Sequence, residues 1–438
     1  KTSNRHLACM KIVQITPGAG GMYCGGCFRD NTLVKSLRDE GHEVLMVPLY
    51  LPLTLEDADQ SSETPIFFGG INVFLDQTLG FFRKLPASGT AWLNRRSILK
   101  RISKHAAQTR PEDVGELTVS MLMGEDGHQR KELEQLIHWL KGQVQPDVVC
   151  LSNALLIGMA AELKSRLNCP VLCTLQGEDT FLDALPEPNR QEAWGVLKKR
   201  AMDIDAFIAP SRYFGELMQS RLGFRADRLY VVPNGIPVDG YQRSKLPDDP
   251  PVLGYFARMC EAKGLPLLVD AYIELKKNPN YQAMRVMVGG GMGPSDEPVV
   301  EALKTKLNQA GCPDDVTWHP NLNRQEKLEF FSKLTVFSVP ALYGETYGLY
   351  LLEAMAAGVP VIQPPHAAFP EIIEATGGGV MTAGLSKDDL AESIDSLLKD
   401  KTRLKQTSDA AIQSVNQSHQ SIHMAKRVLE VYQSVLDV

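Results

Sequence analysis

Glu345 and Glu353 stand eight residues apart in "YGETYGLYLLEAMAAGVPVIQ" (343–363). With a helix starting near Tyr347, a step of about 100° per residue carries the second acid about 80° past two whole turns. The first acid then lies in the loop before the helix and the second within it, on the same side. Each can reach a different part of one ligand. The backbone N–H groups of Tyr347, Gly348 and Leu349 are placed to cap an oxyanion between them. Glu353 falls in the otherwise apolar "LYLLEAMAA", and an acid there demands a partner. The plainer alternative is a core Glu paired with a local Arg. Arg258 and Lys263, in "FARMCEAKGL" (256–265), come just beyond a strand end. One bidentate fork and one point charge suit a diphosphate, against the alternative of two solvated loop cations.

The first half carries "TPGAGGMYCGGCFRDN" (16–31), with Gly18, Gly20, Gly21, Gly25 and Gly26 around Cys24 and Cys27. The loop follows a strand and opens a helix, so main-chain N–H groups can face an anion. The third-glycine position of a dinucleotide fingerprint is Tyr23, and the second strand ends in "VPLY" without a ribose-binding acid. There is no Gly-Lys-Ser/Thr of a phosphate-cradling NTPase loop either. A lone CxxC is a weak redox or metal signal, so the glycines read as a turn that lets the backbone approach a ligand.

The elements that must position these residues repeat along the chain. Apolar strand-like runs at 11–16, 42–50, 147–152, 170–176, 205–211 and 229–234 alternate with helical segments such as 28–40 and 154–167. The polar, proline-rich stretch 237–251 reads as a linker. Beyond it the pattern restarts with strands at 252–258, 284–291, 316–320, 334–340 and 360–365, and helices at 265–277, 298–310 and 324–332. Short buried runs separated by helices mean parallel sheets covered on both faces. The fold class is therefore α/β: two doubly wound, Rossmann-like domains with a cleft between them, ligands sitting at the carboxyl ends of the strands.

At 438 residues, 44% hydrophobic and 22% charged, the chain has the profile of a globular protein with more than one core. Its net charge of −6 excludes a nucleic-acid binder as a whole. No apolar run reaches the roughly 18 residues of a membrane span, and the start has no signal-peptide pattern. Met10 reads as the natural start, with 1–9 outside the fold. Eight scattered cysteines suit reduced thiols in a cytoplasmic protein. The stretch 83–110 holds eight Lys/Arg and no acid. It is either a solvated helix face or a peripheral contact with an anionic membrane or acidic acceptor.

Cations for a diphosphate, carboxylates for sugar hydroxyls and a glycine loop together describe a site for a sugar nucleotide. The ordered set "VVPNGIPVD" (231–239), "FARMCEAKG" (256–264), "VMVGGGMG" (286–293), "VTWHPNLNRQEKLEFFS" (316–332), the Glu345/Glu353 pair with "EAMAAGVPVI" (353–362) and "FPEII" (369–373) resembles retaining GT-B glycosyltransferases of family 4. The resemblance implies an acceptor-side domain over 10–240, a nucleotide-sugar-binding domain over 252–410, and a final segment, 411–438, crossing back onto the first. It implies that Arg258 and Lys263 bind the diphosphate and neutralise the leaving group, and that Glu345 with the Tyr347–Leu349 amides holds hexose and phosphate. It further implies that Glu353 takes the ribose hydroxyls, Trp318 and His319 lie beside the base, and Gly20 and Gly21 approach the diphosphate.

The activity implied is retaining transfer of a hexosyl group from a UDP-, GDP- or ADP-sugar to an acceptor that is a polysaccharide, a lipid-linked glycan or a small molecule. No metal and no cofactor beyond the donor are implied. Relatives often carry His where this chain has Gln176, so Gln176, Glu178 and Asp179 are sugar- or acceptor-contact candidates. Relatives also often have Gly-Gly where this chain has Ala367 and Ala368, which narrows the expected hexose pocket. The rivals are a sugar-nucleotide epimerase on the same fold and a non-catalytic sugar-nucleotide binder.

Overall fold

The computed structural model describes residues 9–17, 25–50, 58–62, 64–68, 111–243 and 250–437. Gly20, Gly21, Cys24 and the basic stretch 83–110 lie outside the described residues. The chain forms two compact units, one of residues 1–233 with 424–438, the other Asn234–His423.

The first unit is built on a parallel sheet of β1 (Lys11–Pro17), β2 (Glu43–Leu49), β3 (Val148–Leu151), β4 (Val171–Thr174), β5 (Ala206–Ala209) and β6 (Leu229–Val231), in the order β2-β1-β3-β4-β5-β6. Successive side chains on a strand face opposite ways. In β1, Val13 and Ile15 accordingly join a core with the Arg130–Gln143 helix, while Ile12 joins another. That second core holds Leu33, Val34 and Leu37 of the Gly25–Asp39 helix. It also holds Met424, Ala425, Val428, Leu429 and Tyr432, the helical-period face of Ser421–Leu436. Residues 411–418 instead finish the Lys401–Ser418 helix inside the second unit, so the chain rejoins the first unit later than Ala411.

The second sheet comprises β7 (Val252–Phe256), β8 (Arg285–Gly290), β9 (Val316–Pro320), β10 (Val336–Phe337), β11 (Val361–Gln363) and β12 (Gly379–Met381), ordered β12-β11-β10-β7-β8-β9 and parallel throughout. Both units are thus doubly wound and Rossmann-like. The boundary at Pro233/Asn234 precedes the proline-rich 237–251 stretch because Ile236 is already tied into the second unit. Its N–H donates to His419 O (3.0 Å), and its carbonyl accepts from Ser421 N (2.9 Å).

Two elements near the candidate acids differ from expectation. The 334–340 run contributes only Val336–Phe337 to the sheet, flanked by single bonds to β7 from Thr335 N–H (2.8 Å) and Ser338 N–H (3.0 Å). The helix expected near Tyr347 begins at Leu349 because Gly348 sits at φ +87°, in the left-handed region. Among the described residues, no helix is long and apolar enough to cross a membrane.

Candidate functional site

In the second sheet the winding direction reverses between β7 and β10, and the loops leaving their carboxyl ends carry the candidate residues. β7 runs into the short turn Glu261–Lys263, closed by Gly264 at φ +73°. A Cβ on Gly264 would lie 1.9 Å from the Pro340 carbonyl oxygen, so only glycine lets the two loops touch. Leu342 N–H donates to Ala262 O (2.9 Å) and latches them. This contact carries Lys263, from the β7 loop, to Glu345, from the β10 loop.

Lys263 Nζ lies 2.5 Å from Glu345 Oε2. The same oxygen accepts from Tyr350 Oη (2.9 Å) and Tyr343 Oη (3.2 Å). The ammonium stands 4.9 Å from the Tyr343 ring centre and 5.5 Å from that of Tyr350, within cation–π range. Burial by itself pushes the Glu345 carboxyl up; the Lys263 charge and the bonds from Lys263, Tyr350 and Tyr343 outweigh it, and the net shift is downward. Burial, the largest single influence, pulls the Lys263 ammonium down, but the Glu345 charge together with Tyr343 and the hydrogen bonds to both outweighs it, and it stays firmly protonated. The site therefore holds an ion pair whose cation keeps 20% of its side chain exposed.

Arg258 does not share that pair. Its Nε donates to both oxygens of the buried Asp296 (3.0 and 3.1 Å), and an outer nitrogen donates to Ser295 Oγ (3.1 Å). The fork is 59% exposed and rooted on an anion that is itself fixed by Gly293 N–H (3.0 Å).

Glu353 has the partner that its apolar helix requires, and it is a lysine rather than the arginine considered from sequence. Lys327 Nζ sits 2.7 Å from Glu353 Oε1, with Tyr241 Oη donating to the same atom at 3.3 Å. Lys327 is buried because it shares the inner face of the Arg324–Phe331 helix with Phe330 and Phe331, three and four residues on. A lysine at that spacing from two phenylalanines was the readable signal. Tyr343, Tyr350 and Asp296 had no comparable one.

Tyr347 is buried, its hydroxyl donating to Asn234 O (3.2 Å), and Gly348 and Leu349 open the Leu349–Ala356 helix beside Glu345. Trp318 and His319 are not brought together. Consecutive on β9, they face opposite ways, Trp318 lying under Lys304 and His319 lying against Phe330. Burial, then the Lys333 charge, lowers the His319 pKa, favouring a neutral ring.

Ala367, where glycine was the family expectation, takes φ +55° while Ala368 N–H donates to Glu345 O (3.2 Å). A side chain in the left-handed region costs about 1 kcal/mol. Ala367→Gly should accordingly raise the urea midpoint by a stability gain of about 1 kcal/mol, with an unchanged m-value.

In the first unit, Gln176 Nε2 donates to Ser152 O (2.7 Å) and to Asp30 Oδ1 (3.4 Å). Glu178 is buried and spent on main-chain N–H groups of Ala154, Gln176 and Gly177, so it clasps the loops after β3 and β4. Burial raises its carboxyl and those amides pull it back only partly. Asp179, nearly buried, also has a raised carboxyl, chiefly from burial. Sequence reasoning overlooked the buried Arg29–Asp30 pair (3.0 Å), which Thr16 Oγ1 also joins at 3.0 Å. The signal was the polar run Arg29-Asp30-Asn31 opening a helix straight after the glycine loop.

The family described as glycosyl transferases group 1 matches residues 241–414, and that described as glycosyltransferase family 4 matches 118–239. Similar proteins include a D-inositol 3-phosphate glycosyltransferase of Nocardia farcinica, 25% identical over 57% of this chain and 57% of that one. Another is a GDP-mannose-dependent alpha-(1-6)-phosphatidylinositol monomannoside mannosyltransferase of Mycobacterium tuberculosis, 27% identical over 53% of this chain and 61% of its own. The chain thus spans less than two thirds of these relatives' length. Among solved structures, the UDP complex of Anabaena Alr3699/HepE superposes with a TM-score of 0.67 at 16% identity, covering 97% of this chain and 100% of that one. Sucrose-phosphate synthase of Thermosynechococcus elongatus gives 0.70 at 16% identity over 98% and 99%. At such identities the likeness speaks for the fold.

Proposed function

The chain belongs to the family 4 GT-B glycosyltransferases, and from that premise we propose that it transfers a hexosyl group from a nucleotide sugar to an acceptor hydroxyl with retention of configuration. The observation that carries this reading is the gathering of Lys263, Glu345 and the first turn of the Leu349–Ala356 helix at the reversal point of the second sheet.

Lys263 turns from Glu345 to the donor diphosphate, and the exposed fork of Arg258 takes the other phosphate. Together they supply the positive charge for the departing nucleoside diphosphate, so no metal is needed. Glu345 holds the hexose and Glu353 the ribose hydroxyls. The bond from the anomeric carbon to the phosphate oxygen breaks as the acceptor oxygen bonds to that carbon on the same face. The acceptor's proton passes to the leaving phosphate oxygen. The protein's contribution is electrostatic stabilisation of the leaving group rather than general-base catalysis.

An inositol phosphate and a phosphatidylinositol mannoside are the acceptors to try first, being those in the relatives' names. The free thiols among the described residues fit a reducing, cytoplasmic setting.

Thermal shift with UDP, GDP, ADP and their hexose conjugates, with and without a chelator, tests the reading. One nucleotide is expected to raise the melting temperature in both conditions. Stabilisation by none of them refutes the donor site. Donor conversion to an isomeric sugar nucleotide without acceptor would replace transfer by epimerisation.

A further inference from the structure

Glu345 uses its two carboxylate oxygens unequally. Lys263, Tyr350 and Tyr343 all bond to Oε2, at 2.5, 2.9 and 3.2 Å. Among the described residues, no donor bonds to Oε1. The backbone is held as well, its N–H donating to Tyr343 O (2.8 Å) and its carbonyl accepting from Ala368 N (3.2 Å). One oxygen is saturated and the other keeps its lone pairs for a ligand.

We propose that Tyr343 and Tyr350 are positioning residues for the transferred hexose: by fastening Oε2 of Glu345 they aim Oε1 at a sugar hydroxyl of the donor. The proposal rests on the donor-site reading above and adds residues to it. A lysine alone cannot do this, because it must leave Glu345 to meet the diphosphate, whereas neutral phenols have no reason to follow the anion. Their rings also flank the ammonium and mark out the space through which it turns. Tyr350 is held firmly for the task. It is buried, its ring centre lies 6.2 Å from that of Phe337, and Gly348 packs so closely that a Cβ there would lie 3.1 Å from the ring.

The test compares affinities for bare UDP and GDP with those for their hexose conjugates, by calorimetry, in wild type, Tyr350→Phe and Tyr343→Phe. Each substitution removes a hydroxyl and leaves the ring that packs, so the variants should fold. Tyr350→Phe is expected to weaken the conjugate about tenfold, the worth of a hydrogen bond to a charged group. The bare nucleotide should stay within about twofold. Tyr343→Phe, with the longer bond, should act the same way by about threefold. Conjugate and bare nucleotide weakening together in both variants would reduce the tyrosines to a structural role and overturn the proposal, as would an unchanged conjugate affinity. Wild type binding neither nucleotide would instead remove the donor site itself, and this proposal with it.

Discussion

Lys263→Ala is expected to cost about 3 kcal/mol of stability and to abolish thermal stabilisation by the nucleoside diphosphate. The figure is at the lower end of what breaking a buried ion pair costs. The Tyr343 and Tyr350 hydroxyls still reach the Glu345 carboxylate when the ammonium is gone. The pH dependence should change in a defined way. In the wild type, the Glu345 carboxyl lies below its usual range despite burial. Its contribution is complete above the ordinary glutamate pKa and is lost as pH falls through the folded value. In the variant burial prevails, the carboxyl rises above its unfolded value, and the folded state then binds the extra proton. The stability gap between the two proteins should therefore narrow as pH drops from 7 toward 5, measured by urea unfolding at each pH. A constant gap would mean that Lys263 contributes packing alone.

Glu353→Ala should be as damaging, by about 3 kcal/mol, because it leaves the buried Lys327 ammonium without its carboxylate. It should also weaken the nucleoside diphosphate by removing the proposed ribose contact. Stability and binding can be separated, since replacing both members of a buried pair by apolar groups is often close to neutral. The double variant Glu353→Leu with Lys327→Met is expected to recover most of the stability while still binding the nucleotide poorly. If it recovers binding too, the ribose role is wrong and Glu353 serves only to neutralise Lys327.

The candidate site was partly legible because some of its residues are conspicuous without a partner. An acid inside "LYLLEAMAA" and two cations past a strand end raise the question of what they face. Tyr350 raises none: in "GLYLLEA" it reads as one more apolar residue on a buried helix, and its hydroxyl matters only because Glu345 lies 2.9 Å away. Asp296 looks like an ordinary loop acid until Arg258 folds onto it. Trp318 and His319 were placed beside the base by the family resemblance, and strand geometry sends these two neighbours to opposite faces.

Short continuous apolar runs alternating with helical-period segments dictate, by local geometry alone, that this chain forms parallel sheets wrapped in helices. Glycine placement dictates where its loops can turn. Those signals act over a few residues, so they need no knowledge of the rest of the chain. The strand order, the pairing of Lys263 with Glu345 across 82 positions, the choice of Lys327 for Glu353, and the late return of the Ser421–Leu436 helix to the first unit are long-range. They depend on which loops meet at the β7/β10 reversal, on a Gly264 that admits the Pro340 carbonyl, and on burial that makes an unpaired charge too costly to leave. Partner choice of that kind is written in packing, which no local window of sequence contains.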